Sequence, residues 1–153
     1  MTIEDDIAFL EGVPSFAILG RDALRILAIG AESRYVHGGE VLFTVGDPAD
    51  AGYVIQDGSF MLKTDNTESS AGDVTVTRGA LLGELALLTD TVSPVTAIAR
   101  EPTVVMRISR GLFRKMLEGY PGAAQRMRDI MAERVDSWTR DLTAVKSALE
   151  QKR

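Results

Sequence analysis

Between Tyr35 and Ile108 the chain is cut into short apolar runs by turn residues, and this punctuation decides what it can fold into. Val41-Leu42-Phe43 follows Gly38-Gly39, Tyr53-Val54-Ile55 follows Gly46-Asp47-Pro48, and Phe60-Met61-Leu62 follows Asp57-Gly58. After a polar link from Thr64 to Asp73, Val74-Thr75-Val76-Thr77 alternates as a half-buried strand does. Gly79 then turns the chain, and Val95 to Ala99 and Val104 to Ile108 complete the series. Apolar runs so closely bounded by turn signals read as strands of a barrel or sandwich. Asp57-Gly58 is expected to be a tight hairpin, with Phe60-Met61-Leu62 as its return strand, because glycine supplies the positive φ of such a turn.

On either side the period becomes helical. Ile7, Phe9, Leu10, Phe16, Ile18, Leu19, Leu24, Ile26 and Leu27 recur at helical spacing, with breaks at Pro14 and Gly20. Asp22 stands early in the second run, where its charge suits a helix N-terminus. Beyond Ser109, Leu112, Phe113, Met116 and Leu117 form a stripe stopped by Gly119-Tyr120-Pro121, and a last helix runs nearly to the end. With 153 residues, 45% of them hydrophobic, the chain can bury one core. The expectation is a single α+β domain over 1–153: N-terminal helices in 1–33, an antiparallel, jelly-roll-like β-roll in 34–109, and C-terminal helices in 110–153.

Several function classes find no support. The absence of cysteine excludes disulfides, thiolate metal sites and a cysteine nucleophile, and the one histidine, His37, sits in a turn with no second ligand beside it. Ser33, Ser59 and Ser93 lack a histidine base, Asp47 and Asp73 read as turn residues, and no Gly-Lys-Ser or Gly-Lys-Thr phosphate loop occurs. We therefore expect no enzyme. A net charge of −5 argues against a nucleic-acid surface. No apolar run is long enough for a membrane span, and the acidic start is unlike a secretion signal, so a cytoplasmic protein is expected.

The chemistry concentrates in Leu82-Gly83-Glu84-Leu85-Ala86-Leu87-Leu88. A glycine followed by strong helix formers predicts a helix start whose backbone amides attract an anion. This loop, together with Gly39-Glu40-Val41-Leu42, Gly46-Asp47, Gly58 and Gly79 in the same order, resembles the cyclic-nucleotide-binding domain of catabolite activator protein and protein kinase A regulatory subunits. The resemblance runs from about Phe9 to about Thr139. It implies a β-roll with closing helices, a cyclic nucleotide as the candidate ligand, Glu84 on the ribose 2′-hydroxyl, and the amides of Leu85 and Ala86, after Gly83, on the cyclic phosphate.

The chain departs from that pattern where the family places an arginine on the phosphate. No arginine lies between Gly83 and Ala99; Ser93 occupies the arginine's place, and Pro94, which has no amide, follows it. A charge-assisted hydrogen bond contributes about 1.5–3 kcal/mol and a neutral one about 1 kcal/mol, so ordinary cyclic nucleotides should bind roughly a hundredfold to a thousandfold more weakly. Asp90 adds repulsion. Either the hydroxyls of Ser93, Thr91 or Thr96 serve a less charged ligand, or the roll is a ligand-free dimerisation or protein-interaction module. Arg78 and Arg100 read as solvated strand-end charges.

In the last helix, Met131, Val135, Trp138, Leu142, Val145 and Leu149 alternate at spacings of four and three, a heptad seam. The resemblance places Trp138 and Thr139 over the base of a bound nucleotide, while the seam alone accounts for Trp138 as packing. The sequence given ends at Gln151-Lys152-Arg153, so no helix-turn-helix and no direct DNA binding is expected, and a protein effector is the expected partner. The seam predicts a parallel homodimer, with Asp141 and Lys146 on its flanks. Light scattering at tens of micromolar should give twice the chain mass, and a monomer there would refute the seam.

Overall fold

The computed structural model describes residues 2–64, 73–130 and 132–133. The polar link at 65–72 and the heptad seam, with Met131, Val135, Trp138, Thr139, Leu142, Val145 and Leu149, lie outside the described residues.

Helix α1 (Ile3–Glu11) begins where the Thr2 hydroxyl accepts the Asp5 amide at 3.2 Å and the Asp5 carboxylate accepts the Thr2 amide at 3.1 Å, a reciprocal cap. Turns through Pro14–Leu19 lead to α2 (Arg21–Gly30), with Asp22 in its first turn. Among the described residues ten strands follow. They are β1 (Glu32–Val36), β2 (Val41–Phe43), β3 (Pro48–Ala49), β4 (Ala51–Asp57), β5 (Ser59–Lys63), β6 (Val74–Thr77), β7 (Leu81–Leu82), β8 (Thr91–Val92), β9 (Thr96–Ala99) and β10 (Thr103–Ser109). Helix α3 (Arg110–Gly119) starts on a Ser109 cap, whose Oγ accepts the Leu112 amide at 3.1 Å, and residues 121–130 form α4.

Every pairing is antiparallel. One sheet has the order β1-β10-β4-β7, the second β2-β9-β5-β6, and β3 pairs with β8 in a short ribbon. The α+β class and the antiparallel roll expected from the sequence are what the chain forms, although strand structure begins at Glu32, ahead of Tyr35.

The central pair β4 and β10 alternates between two cores, as a period of two requires. Val54, Met106 and Ile108 point to the helices and join Leu10, Leu24, Leu27 and Phe113; Ile55 and Val105 point between the sheets and join Phe60, Leu82 and Ala97. Burying each such large side chain contributes about 1.5–3 kcal/mol, so these two strands anchor both halves of the fold.

Asp57-Gly58 is not the hairpin expected. β4 and β5 belong to different sheets, so the chain changes sheet at Gly58. Its φ is 98°, and a Cβ there would collide with the Thr103 hydroxyl and lie 2.8 Å from the Pro102 carbonyl oxygen. A hairpin and a sheet-crossing corner ask for the same turn residues, and only the distant Pro102-Thr103 backbone tells them apart. Gly58→Ala should lower the unfolding free energy by about 2 kcal/mol or more, through strain and collision together, read from the urea midpoint.

Candidate functional site

The ribbon β3–β8 and the turn after β7 surround a cavity of about 360 Å³. Its shape begins at Gly83. There the chain leaves β7 with φ 78°, and a Cβ would lie 2.9 Å from the Ala51 carbonyl oxygen, so only glycine lets the turn press onto β4. Glu84–Leu87 then form one 3₁₀ turn rather than the α-helix expected from their propensities. β8 must be extended by Thr91 to pair with Ala49, so the helix formers have no room for a second turn. Ala86 and Leu87 are buried and fasten the turn, whereas Leu85 stays 55% exposed.

Gly83, Glu84, Leu85, Ala86 and Ser93 all line this cavity, so the structure gathers five of the expected ligand residues. The amide of Ala86 is spent within the turn on the Gly83 carbonyl at 3.0 Å. Glu84 Oε1 accepts the Ser15 hydroxyl at 3.0 Å, which joins the loop to the segment between α1 and α2. Thr96 is buried but does not border the cavity; its Oγ1 accepts the Val45 amide at 2.9 Å and supports the turn before β3. Trp138 and Thr139 lie outside the described residues.

Ser93 is the best-built polar group of the wall. It is 5% exposed, its amide donates to the Asp47 carbonyl at 2.8 Å, and its carbonyl accepts the Gly46 amide at 2.8 Å. The backbone is thus fixed, while the hydroxyl has no hydrogen-bond partner among the described residues. Pro94 lies beside it on the wall and offers no donor.

The charges on the described lining are two carboxylates, Asp50 and Glu84. Asp50 meets Arg107 at 3.4 Å, and Arg107 also reaches Glu32 at 3.7 Å. Neither arginine weighed from the sequence turns to the cavity. Arg78 lies 4.6 Å over the Phe9 ring and donates to the Gln56 carbonyl, and Arg100 is exposed.

The cation that does touch the site's framework is Arg110, which sequence reasoning missed. Its Nε donates to the Ala86 carbonyl at 2.8 Å, one Nη donates to the Ala49 carbonyl at 2.6 Å, and the other pairs with Asp90. Its own amide donates to the Asp50 carbonyl at 2.8 Å. One side chain thereby ties the 3₁₀ turn, the end of β3 and the start of α3 behind the cavity wall. The available signal was its place directly after a Ser N-cap at a strand-to-helix junction, and nothing in that pattern points back to Ala49 or Ala86.

The geometry stands beside four similarities. The model for the cyclic nucleotide-binding domain matches residues 33–120. The chain belongs to the cyclic nucleotide-binding domain family. A cyclic nucleotide-binding-like protein from Brucella abortus bv. 1 str. 9-941 is 41% identical, with a TM-score of 0.65 over 74% of this chain and 98% of that one. Lysophospholipase nte1 of Aspergillus oryzae is 31% identical over 108 residues, 63% of this chain. The cAMP-dependent protein kinase regulatory subunit of Yarrowia lipolytica is 29% identical over 103 residues, 67% of this chain. The chain spans 7% of the length of the first of these curated relatives and 26% of the second. What it shares with them is a regulatory, cyclic nucleotide-binding-like domain, and no helix among the described residues is long and apolar enough to cross a membrane.

Arg110→Ala would strand two carbonyls that now accept charge-assisted bonds, and should lower the unfolding free energy by about 2–4 kcal/mol. Asp90, 98% exposed, adds little to the tie, so Asp90→Ala should leave the urea midpoint nearly unchanged. Equal losses in the two variants would contradict this division.

Proposed function

We propose that this domain is a non-catalytic cytoplasmic sensor whose cavity has lost the phosphate clamp of its family, so that cyclic AMP and cyclic GMP bind weakly or not at all. The observation that carries this reading is the cavity wall at Ser93-Pro94. Where an anion would need a guanidinium and an amide, there are a hydroxyl and a proline, and the lining charges of the described residues are both negative.

The framework suits signal transfer. A ligand pressing on Glu84–Leu87 shifts Ala86, an acceptor of Arg110, and Arg110 opens α3. Phe113 and Met116 of α3 pack in the same core as Leu87, so the turn and the helix respond together. In this reading α3 and α4 bias the closing helix, which forms the homodimer and addresses a protein effector. A ligand-free interaction module is the second reading, favoured by Leu85 and Val92, 55% and 53% exposed on the cavity's lining, where a partner could cover them.

The double variant Ser93→Arg with Pro94→Ala restores a guanidinium and an amide at the phosphate position. Calorimetry should then show cyclic AMP or cyclic GMP binding at least a hundredfold tighter than in the parent chain. No gain in a folded variant would reject the cavity as a nucleotide site and leave the interaction module.

A further inference from the structure

Resting on the reading of this cavity as a ligand site, we infer that its ligand is an uncharged nucleoside, a planar base on a hydroxyl-bearing sugar with no phosphate. Charge decides against an anion. The charged residues on the described lining are the carboxylates Asp50 and Glu84, neither of which can pair with a phosphate, and the two neighbouring arginines are already held: Arg110 by the Ala49 and Ala86 carbonyls and Asp90, Arg107 by Asp50 and Glu32. Moving either guanidinium onto a phosphate would strand buried or paired acceptors.

The polar groups that do face the cavity call for a neutral, hydroxyl-bearing molecule. The Glu84 carboxylate, which accepts the Ser15 hydroxyl, is an acceptor on the lining and suits a ligand that presents O–H or N–H donors. The Ser93 hydroxyl, on a residue 5% exposed in the cavity wall, can donate to or accept from an uncharged ligand. Its fixed backbone holds it in place at no further ordering cost.

The remaining wall is apolar and takes a ring. Phe43 and Tyr53 line the cavity with their ring centroids 5.9 Å apart, and Leu62, Leu81 and Val92 lie on the same lining. A heterocyclic base against these side chains buries its faces while the hydroxyls of the attached sugar reach Glu84 and Ser93. The volume of about 360 Å³ falls in the small-molecule range of roughly 300–1,000 Å³.

Calorimetry on the full chain with adenosine, guanosine, cyclic AMP and cyclic GMP tests this. One of the nucleosides should bind at least tenfold tighter than its own cyclic phosphate. Glu84→Gln, which keeps the size and an acceptor for Ser15, should weaken that nucleoside at least tenfold, and Ser93→Ala should weaken it about threefold to tenfold. Binding of a cyclic phosphate as tight as its nucleoside would overturn the inference, as would nucleoside binding indifferent to both substitutions. Silence of both nucleosides overturns it too. If the Ser93→Arg, Pro94→Ala variant nevertheless binds cyclic AMP, the cavity reading survives and only the nucleoside is rejected; if that variant is also silent, both fall.

Discussion

The pairing of β4 with β10 is the constraint on which the rest depends. These strands are buried on both faces, one toward the helices and one toward the second sheet, so each must alternate two sets of apolar residues in a fixed register, which runs unbroken from Val105 to Ser109 after a shift at Val104/Val105. Both strands also end at the site. Ala51 opens β4 against Gly83, and Ser109 closes β10 immediately before Arg110. The cavity inherits its geometry from this core, and Leu82 belongs to both.

The site divides its work between conformation and charge. Gly83 and the buried Ala86 and Leu87 shape the 3₁₀ turn, and Arg110 secures the backbone behind it. A guanidinium used this way serves the protein's own carbonyls and not an incoming anion. The family's fold is retained with a serine and a proline at 93 and 94, in the link between β8 and β9.

Local periodicity and turn chemistry made much of this legible. The roll could be read from the spacing of Val41-Leu42-Phe43, Tyr53-Val54-Ile55 and Val104 to Ile108, and the site from Gly83-Glu84-Leu85-Ala86-Leu87. What escaped depends on contacts made across the sequence. Gly58 signals a positive φ, but whether the chain returns along β4 or crosses to the other sheet is decided by β9 and β10. Helix propensity in Glu84–Leu88 was overruled by the pairing of Thr91 with Ala49. Arg110 looked like an ordinary charge at the start of a helix, and its acceptors are backbone carbonyls, which leave no mark on a sequence.

The pairing of Glu32–Val36 with Thr103–Ser109 has a consequence for how the chain comes into being. β1 flanks only β10, so its hydrogen-bonding edge stays open until the last strand exists. On a ribosome adding ~5–20 residues per second, roughly 75 further residues separate Glu32 from Arg107, a wait on the order of 4–15 s. Through that interval β1 is guarded by its composition: Glu32, Ser33 and Arg34 open it, and its buried residue is Val36 alone. A strand so polar gives a stray chain little apolar surface to seize, and the first sheet strand made can afford to be paired last.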